Sequence, residues 1–218
     1  MAKATTSKRR QQVGDENAVR ERILDAAFAA FMKSGYATTS TLEIATRACV
    51  SKRELYALVG NKQEMLVACI SERAKRLDVP ANLPVLRDRE TLAKVLASFG
   101  TKLVREISDP TVIAVFRLAI AEVVQAPEVA RALDSIGRET TRAALRKIMA
   151  QAKGTKLLTG RPAELAEQFA GLLWRDLMVS LLLGVAERPT SREIAGRARH
   201  AAAAFLQLHP TPNNAREV

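Results

Sequence analysis

With 218 residues, 48% of them hydrophobic, the chain has enough material for a sizeable core, in one long domain or a small domain joined to a larger one. Ten Gly, eight Pro and only 4% aromatic residues, beside abundant Ala, Leu, Arg and Glu, favour helix and argue against a rich sheet. The formal net charge of +11 favours a polyanionic partner, nucleic acid or an anionic membrane surface, and does not choose between them.

The basic excess starts at the N-terminus, where Lys3, Lys8, Arg9 and Arg10 stand without an acid. Residues 1–16 therefore read as a disordered basic arm, which either follows a phosphate backbone or only aids solubility. The expected N-terminal domain covers 17–62, a larger helical domain 63–209, and a disordered tail 210–218.

From Asn17, Leu24, Ala27, Phe28 and Phe31 recur at helical spacing up to Gly35, a helix stop. A short helix with Ile44, Ala45 and Ala48 follows, then Ser51 to Leu58, closed by Gly60, then Lys62 to about Leu77. Pro80 and Pro84 mark Val79 to Arg87 as a linker. Beyond it, Leu92, Val95, Leu96, Phe99 and Leu103 form one stripe, and helices open at Asp109-Pro110 and at Ala126-Pro127-Glu128. Lys153 to Arg161 is a loop, and the last two helices run from Pro162 to Val185 and from Ser191 to Leu208. About nine helices and no credible strand make this an all-α chain.

Chemistry for catalysis is missing from the pattern. Cys49 and Cys69 are the only cysteines, and His200 and His209 have no ligand residues at metal spacing. No nucleophile–base pair or phosphate loop appears, so no catalytic residue, metal or cofactor is expected. The most apolar run, Leu172 to Val185, contains Arg175 and Asp176 and falls short of the ~20 residues of a membrane span. A reduced, cytoplasmic protein is expected.

Three capping boxes crowd the first third: Ser40 with Glu43, Ser51 with Glu54, and Asn61 with Glu64. They imply short, separately capped helices. Ile44-Ala45, then Ala48-Cys49-Val50, then Ser51 and Leu55 suit a helix, a tight turn and a second helix. A helix-turn-helix has this layout, with its second helix entering the major groove N-terminus first. Lys52 and Arg53 follow the cap of that helix, and Arg can bond guanine bidentately. Tyr56 adds a hydroxyl one turn on. Thr39, Ser40 and Thr41 at the first helix, and Lys62 at the next one, can hold phosphates. Glu54 either reads a cytosine or simply completes its cap.

In these residues the chain resembles the TetR family. Arg22-Ile23-Leu24-Asp25-Ala26-Ala27, Phe31, Gly35-Tyr36, Thr39-Ser40, Ile44-Ala45, Ala48, Val50-Ser51-Lys52, Leu55-Tyr56, Lys62 and Leu66 follow its pattern in order. The resemblance implies that Tyr56 and Lys62 grip phosphates while Thr39, Ser40, Ser51, Lys52 and Arg53 face DNA. Cys49 stands where the family usually has glycine, and cysteine disfavours positive φ. The segments Val115-Phe116-Arg117-Leu118 and Pro127-Glu128-Val129-Ala130 resemble AefR-type members.

That resemblance implies a repressor released from a palindromic operator by a small apolar effector. The alternatives are an architectural DNA binder without a ligand and, more remotely, a helical enzyme. Phe99, Phe116, Ile120, Phe169 and Trp174 either line the effector pocket or form ordinary core. Asp176 falls on the stripe of Leu165, Phe169, Leu172, Val179 and Leu183, so it is expected to be partly buried beside a structural partner or a ligand. The second stripe of that helix, with Leu173, Leu177 and Leu181, and the face with Ala198, Ala202 and Phe205, are expected to meet the other protomer of a homodimer on an inverted repeat.

Overall fold

The computed structural model of the protein describes residues 2–74 and 84–210, with side chains from Asp15 to Glu72 and from Pro84 to Pro210. The basic side chains of the arm, most of the linker and the tail after Pro210 lie outside the described residues. Among the described residues the regular structure is helical: α1 (Ala2–Ser34), α2 (Thr41–Arg47), α3 (Lys52–Val59), α4 (Lys62–Ala74), α5 (Arg89–Ile107), α6 (Pro110–Ala121), α7 (Pro127–Ala132), a π-helical stretch (Leu133–Arg138), α8 (Glu139–Gly154), α9 (Pro162–Trp174), α10 (Leu177–Leu183) and α11 (Ser191–Leu208). No helix is long and apolar enough to cross a membrane among these residues.

Two helices differ from expectation. The backbone of α1 is helical from Ala2, through the stretch read as a disordered arm. A helix already nucleated on a packed segment propagates cheaply through a proline-free sequence. The expected helix from Pro162 to Val185 is two helices. Arg175 takes φ 46° and ψ −121°, and its N–H closes α9 on the Gly171 carbonyl. Arg197 supports the break by donating to the carbonyls of Leu173 (3.1 Å) and Trp174 (3.3 Å).

The chain forms two compact units, one of residues 1–73 with 115–137 and the other of residues 74–114 with 138–218. These bounds differ from the expected 17–62 and 63–209. In the first unit, Ile23, Ala27, Phe31, Ile44, Leu55 and Met65 are fully buried in one core. Met65, Leu66, Cys69 and Ile70 bring α4 into that core, and Leu118, Val129 and Leu133 bring in the later segment. Each fully buried Leu, Ile, Phe or Met side chain contributes roughly 1.5–3 kcal/mol.

In the second unit, Leu92, Leu96, Ile148, Phe169 and Phe205 are the centre of a separate core. The Phe169 and Phe205 rings meet edge to face at 5.7 Å. The Arg89 guanidinium ties the ends together, donating to the carbonyls of Leu157, Leu206 and His209. Thr190 and Glu193 form a reciprocal cap for α11.

Leu165, Phe169 and Leu173 line the buried side of α9, and past the turn at Arg175 Leu177 and Leu181 continue it in α10. Leu173, Leu177, Leu181, Ala198, Ala202 and Phe205, expected at a protomer interface, are all buried in this unit's own core. Val179 and Leu183 are the exposed pair, at 58% and 71%. Asp176 is exposed as well, because it sits in the break rather than on a continuous stripe. Phe99 and Phe169 belong to this core and Trp174 packs on it. Phe116 packs in the first unit, and Ile120 there is 59% exposed.

Candidate nucleic-acid interface

The helix-turn-helix is built from local caps. Ser40 in extended geometry accepts from the Glu43 N–H at 3.1 Å and starts α2, and Ser51 accepts from the Glu54 N–H at 3.1 Å and starts α3. The third box is reciprocal: Asn61 Oδ1 accepts from the Glu64 N–H at 3.0 Å, and Glu64 Oε2 accepts from the Asn61 N–H at 2.7 Å. Such caps are typically worth about 1 kcal/mol each.

Between α2 and α3 the chain turns through Cys49 at φ 52°, the left-handed region that glycine usually fills. The turn is closed by Val50 N–H donating to the Ala45 carbonyl at 3.0 Å. Arg22 on α1 donates through Nε to the Ala48 carbonyl at 2.8 Å, fixing the end of α2 from outside. Ile44, Ala45, Ala48, Leu55 and Val59 form the buried side of the motif. Cysteine adopts the turn because these contacts over-determine it.

The other side of α3 is open. Ser51, Lys52, Arg53, Glu54, Tyr56 and Ala57 are exposed. Lys52, Arg53 and Tyr56 lie within one turn, as groove reading requires. The Tyr56 hydroxyl lies 3.2 Å from the Thr41 hydroxyl, linking the middle of α3 to the start of α2. Ser40 is exposed and Thr41 half-buried, so the start of α2 borders the same surface.

Two expected DNA contacts are engaged within the fold. Thr39 is buried, and its hydroxyl donates to the Gly35 carbonyl at 2.7 Å, with the Ala30 carbonyl 3.2 Å away, closing the end of α1. The half-buried Lys62 donates to three carbonyls: Tyr36 at 2.9 Å, Ala37 at 3.1 Å and Thr39 at 3.1 Å. An ammonium has three hydrogens, so these bonds occupy all of them. Its Nζ also lies 4.6 Å from the centroid of the Tyr36 ring.

Tyr36 is buried against Phe31, ring centroids 5.3 Å apart. Burial raises the pKa of its phenol, and the carboxylates of Glu128 and Glu122 raise it further. Glu122 also accepts from the Ala37 N–H at 3.3 Å. Sequence reading placed Arg22 in the family pattern without a role and did not single out Glu122, because their partners lie far away in the chain.

A family model described as bacterial regulatory proteins, tetR family, matches residues 23–69. A second, the C-terminal domain of AefR-like transcriptional repressors, matches residues 94–209, more than half of the chain. An uncharacterized HTH-type transcriptional regulator of Bacillus subtilis (strain 168), YvkB, is 35% identical over 88 residues, covering 40% of this chain and 44% of that protein's length. The solved structure of a TetR transcriptional regulator from Agrobacterium tumefaciens is similar over 91% of this chain and 98% of its own, at 27% identity and a TM-score of 0.72. That of the flavonoid-responsive regulator FrrA covers 90% and 98%, at 26% identity and a TM-score of 0.75. Two capped helices packed at a tight turn, with basic residues open on the second, agree with these matches. The chain belongs to the TetR family of bacterial regulatory proteins and is a DNA-binding transcriptional regulator.

Proposed function

We propose that the protein is a cytoplasmic homodimeric repressor that reads an inverted-repeat operator through α3 and leaves it when a small apolar molecule binds. The exposed first turn of α3 carries this reading, with Lys52 and Arg53 beside the cap Ser51. Arg53 is assigned to a base edge, and Lys52, Tyr56, Ser40, Thr41 and Ser51 to phosphates or neighbouring bases. The match to the C-terminal domain of AefR-like repressors supports repression as the sign of regulation.

The effector is assigned to the second unit, near Phe99, Phe169 and Trp174, whose aromatic walls suit an apolar molecule. The name of FrrA, flavonoid-responsive, supports a small aromatic compound of this kind. Release requires that the compound bind the DNA-incompetent conformation more tightly than the competent one. The protomer contact is assigned to the exposed side of α10, with Val179, Leu183 and the nearby Val185. A two-fold dimer would set two α3 helices on major grooves one turn, roughly 34–36 Å, or a multiple of it, apart.

Substitutions in α3 test the DNA roles separately. Arg53→Ala is expected to cost about 1–3 kcal/mol per base contact and to relax preference at one position per half-site. Lys52→Ala is expected to weaken binding to every sequence and to flatten the salt dependence by about 0.9 per contact per protomer. Titrations against a panel of single-base operator variants separate the two outcomes. Equal losses across that panel for Arg53→Ala would make Arg53 a backbone contact.

A further inference from the structure

We propose that Glu122, far outside the helix-turn-helix in sequence, is a positioning residue for DNA binding that holds the turn between α1 and α2. The inference rests on the reading that DNA lies against the start of α2 and against α3. The turn from Gly35 to Thr39 leads directly into Ser40, the cap of α2. Where it sits decides where Thr41 and its partner Tyr56 sit.

Charged side chains grip this short turn from opposite chemical sides. Lys62 takes its carbonyls, those of Tyr36, Ala37 and Thr39. Glu122, half-buried in the turn after α6, takes one of its donors, the Ala37 N–H at 3.3 Å. The Glu128 carboxylate, half-buried in the first turn of α7, adds to the burial that raises the pKa of the Tyr36 phenol. Gly35 makes room for this arrangement. A Cβ there would lie 2.8 Å from Glu122 Oε1, and the backbone has φ +86°. All of these groups belong to the first compact unit.

Positioning and plain electrostatics predict opposite signs. A carboxylate that acts only through its charge repels DNA, so its removal would strengthen binding to any sequence. A carboxylate that holds the turn supports selective binding, so its removal would weaken the selected site alone. The conservative amide separates the two further, because a Gln oxygen can accept the same Ala37 N–H without charge.

The test uses the full chain, a duplex selected by the wild-type protein from a random-sequence library, and a random duplex of equal length. Glu122→Ala is expected to lose about tenfold in affinity for the selected duplex, the scale of one charge-assisted hydrogen bond. Its affinity for the random duplex is expected to hold or rise, and Glu122→Gln to stay close to wild type. Glu122→Asp, which shortens the side chain by one methylene, provides the same comparison should Glu122→Ala fold poorly. In an ultraviolet alkaline titration, Tyr36 is expected to ionise at lower pH in Glu122→Ala than in wild type. Equal gains on both duplexes, or no change on the selected one, would overturn the inference while leaving the DNA reading intact. A wild-type protein that selects no sequence would overturn both.

Discussion

Lys62→Ala is expected to destabilise the protein by about 2 kcal/mol and to abolish selective DNA binding while leaving the salt dependence of residual binding unchanged. The half-buried ammonium bonds three carbonyls of the α1–α2 turn and lies over the Tyr36 ring. A hydrogen bond from a charged donor contributes about 1.5–3 kcal/mol when buried. At the half-exposed Lys62 water competes for all three hydrogens, so the three bonds together are taken at about the lower value for one buried bond. The cation over the ring adds about 0.5–1 kcal/mol. A phosphate-binding lysine would behave differently, flattening the salt slope by about 0.9 per contact with little loss of stability. Thermal unfolding and salt titration of the same variant separate the cases. A flattened slope with unchanged unfolding would return Lys62 to the phosphate set.

The double variant Val179→Glu, Leu183→Glu is expected to be a folded monomer whose operator affinity falls by about 10²–10⁴, the gain that joining two reading heads supplies. Both positions are open to solvent within the protomer, so the charges add little strain to its own fold. Leu181→Glu and Phe205→Glu are expected to do something else. Leu181 and Phe205 lie inside the second unit's core, where Phe205 packs on Phe169. A glutamate there buries an unpaired carboxylate and deletes a large apolar side chain, a loss of about 3–5 kcal/mol for the aromatic alone. Sedimentation combined with thermal unfolding distinguishes a stable monomer from an unfolded chain. Persistence of the dimer in Val179→Glu, Leu183→Glu would place the protomer contact on another face.

What the sequence displays follows from the range of the interactions involved. The helix-turn-helix is legible because its signals are local: Ser40, Ser51 and Asn61 each find a backbone partner within three residues. The apolar spacing of Ile44, Ala45, Leu55 and Val59 adds the buried side in the same way. Lys62 was equally visible as a residue, and its role was not, because its partners lie 23–26 residues earlier. Glu122 meets Ala37 across 85 residues, beyond any pattern a single sequence displays.

The α9–α10 break was hidden for a related reason. No proline or glycine stands at Arg175 or Asp176, so the helical period reads straight through. The break is held instead by Arg197, 23–24 residues away, which binds the carbonyls of Trp174 and Leu173. Past the turn at Arg175, Leu177 and Leu181 are the buried residues of α10, while Val179 and Leu183 are exposed. Helical spacing marks Phe116 and Phe169 as apolar positions, and only the tertiary fold places them in different units.

Reading of DNA by a paired α3 is tested most directly by selection of random duplexes with the wild-type protein, followed by footprinting and sedimentation of the complex. The expected result is an enriched inverted repeat, half-site centres one turn or a multiple of it apart, protected by two protomers per repeat. Enrichment of no sequence, or of a single asymmetric site occupied by one protomer, would contradict it.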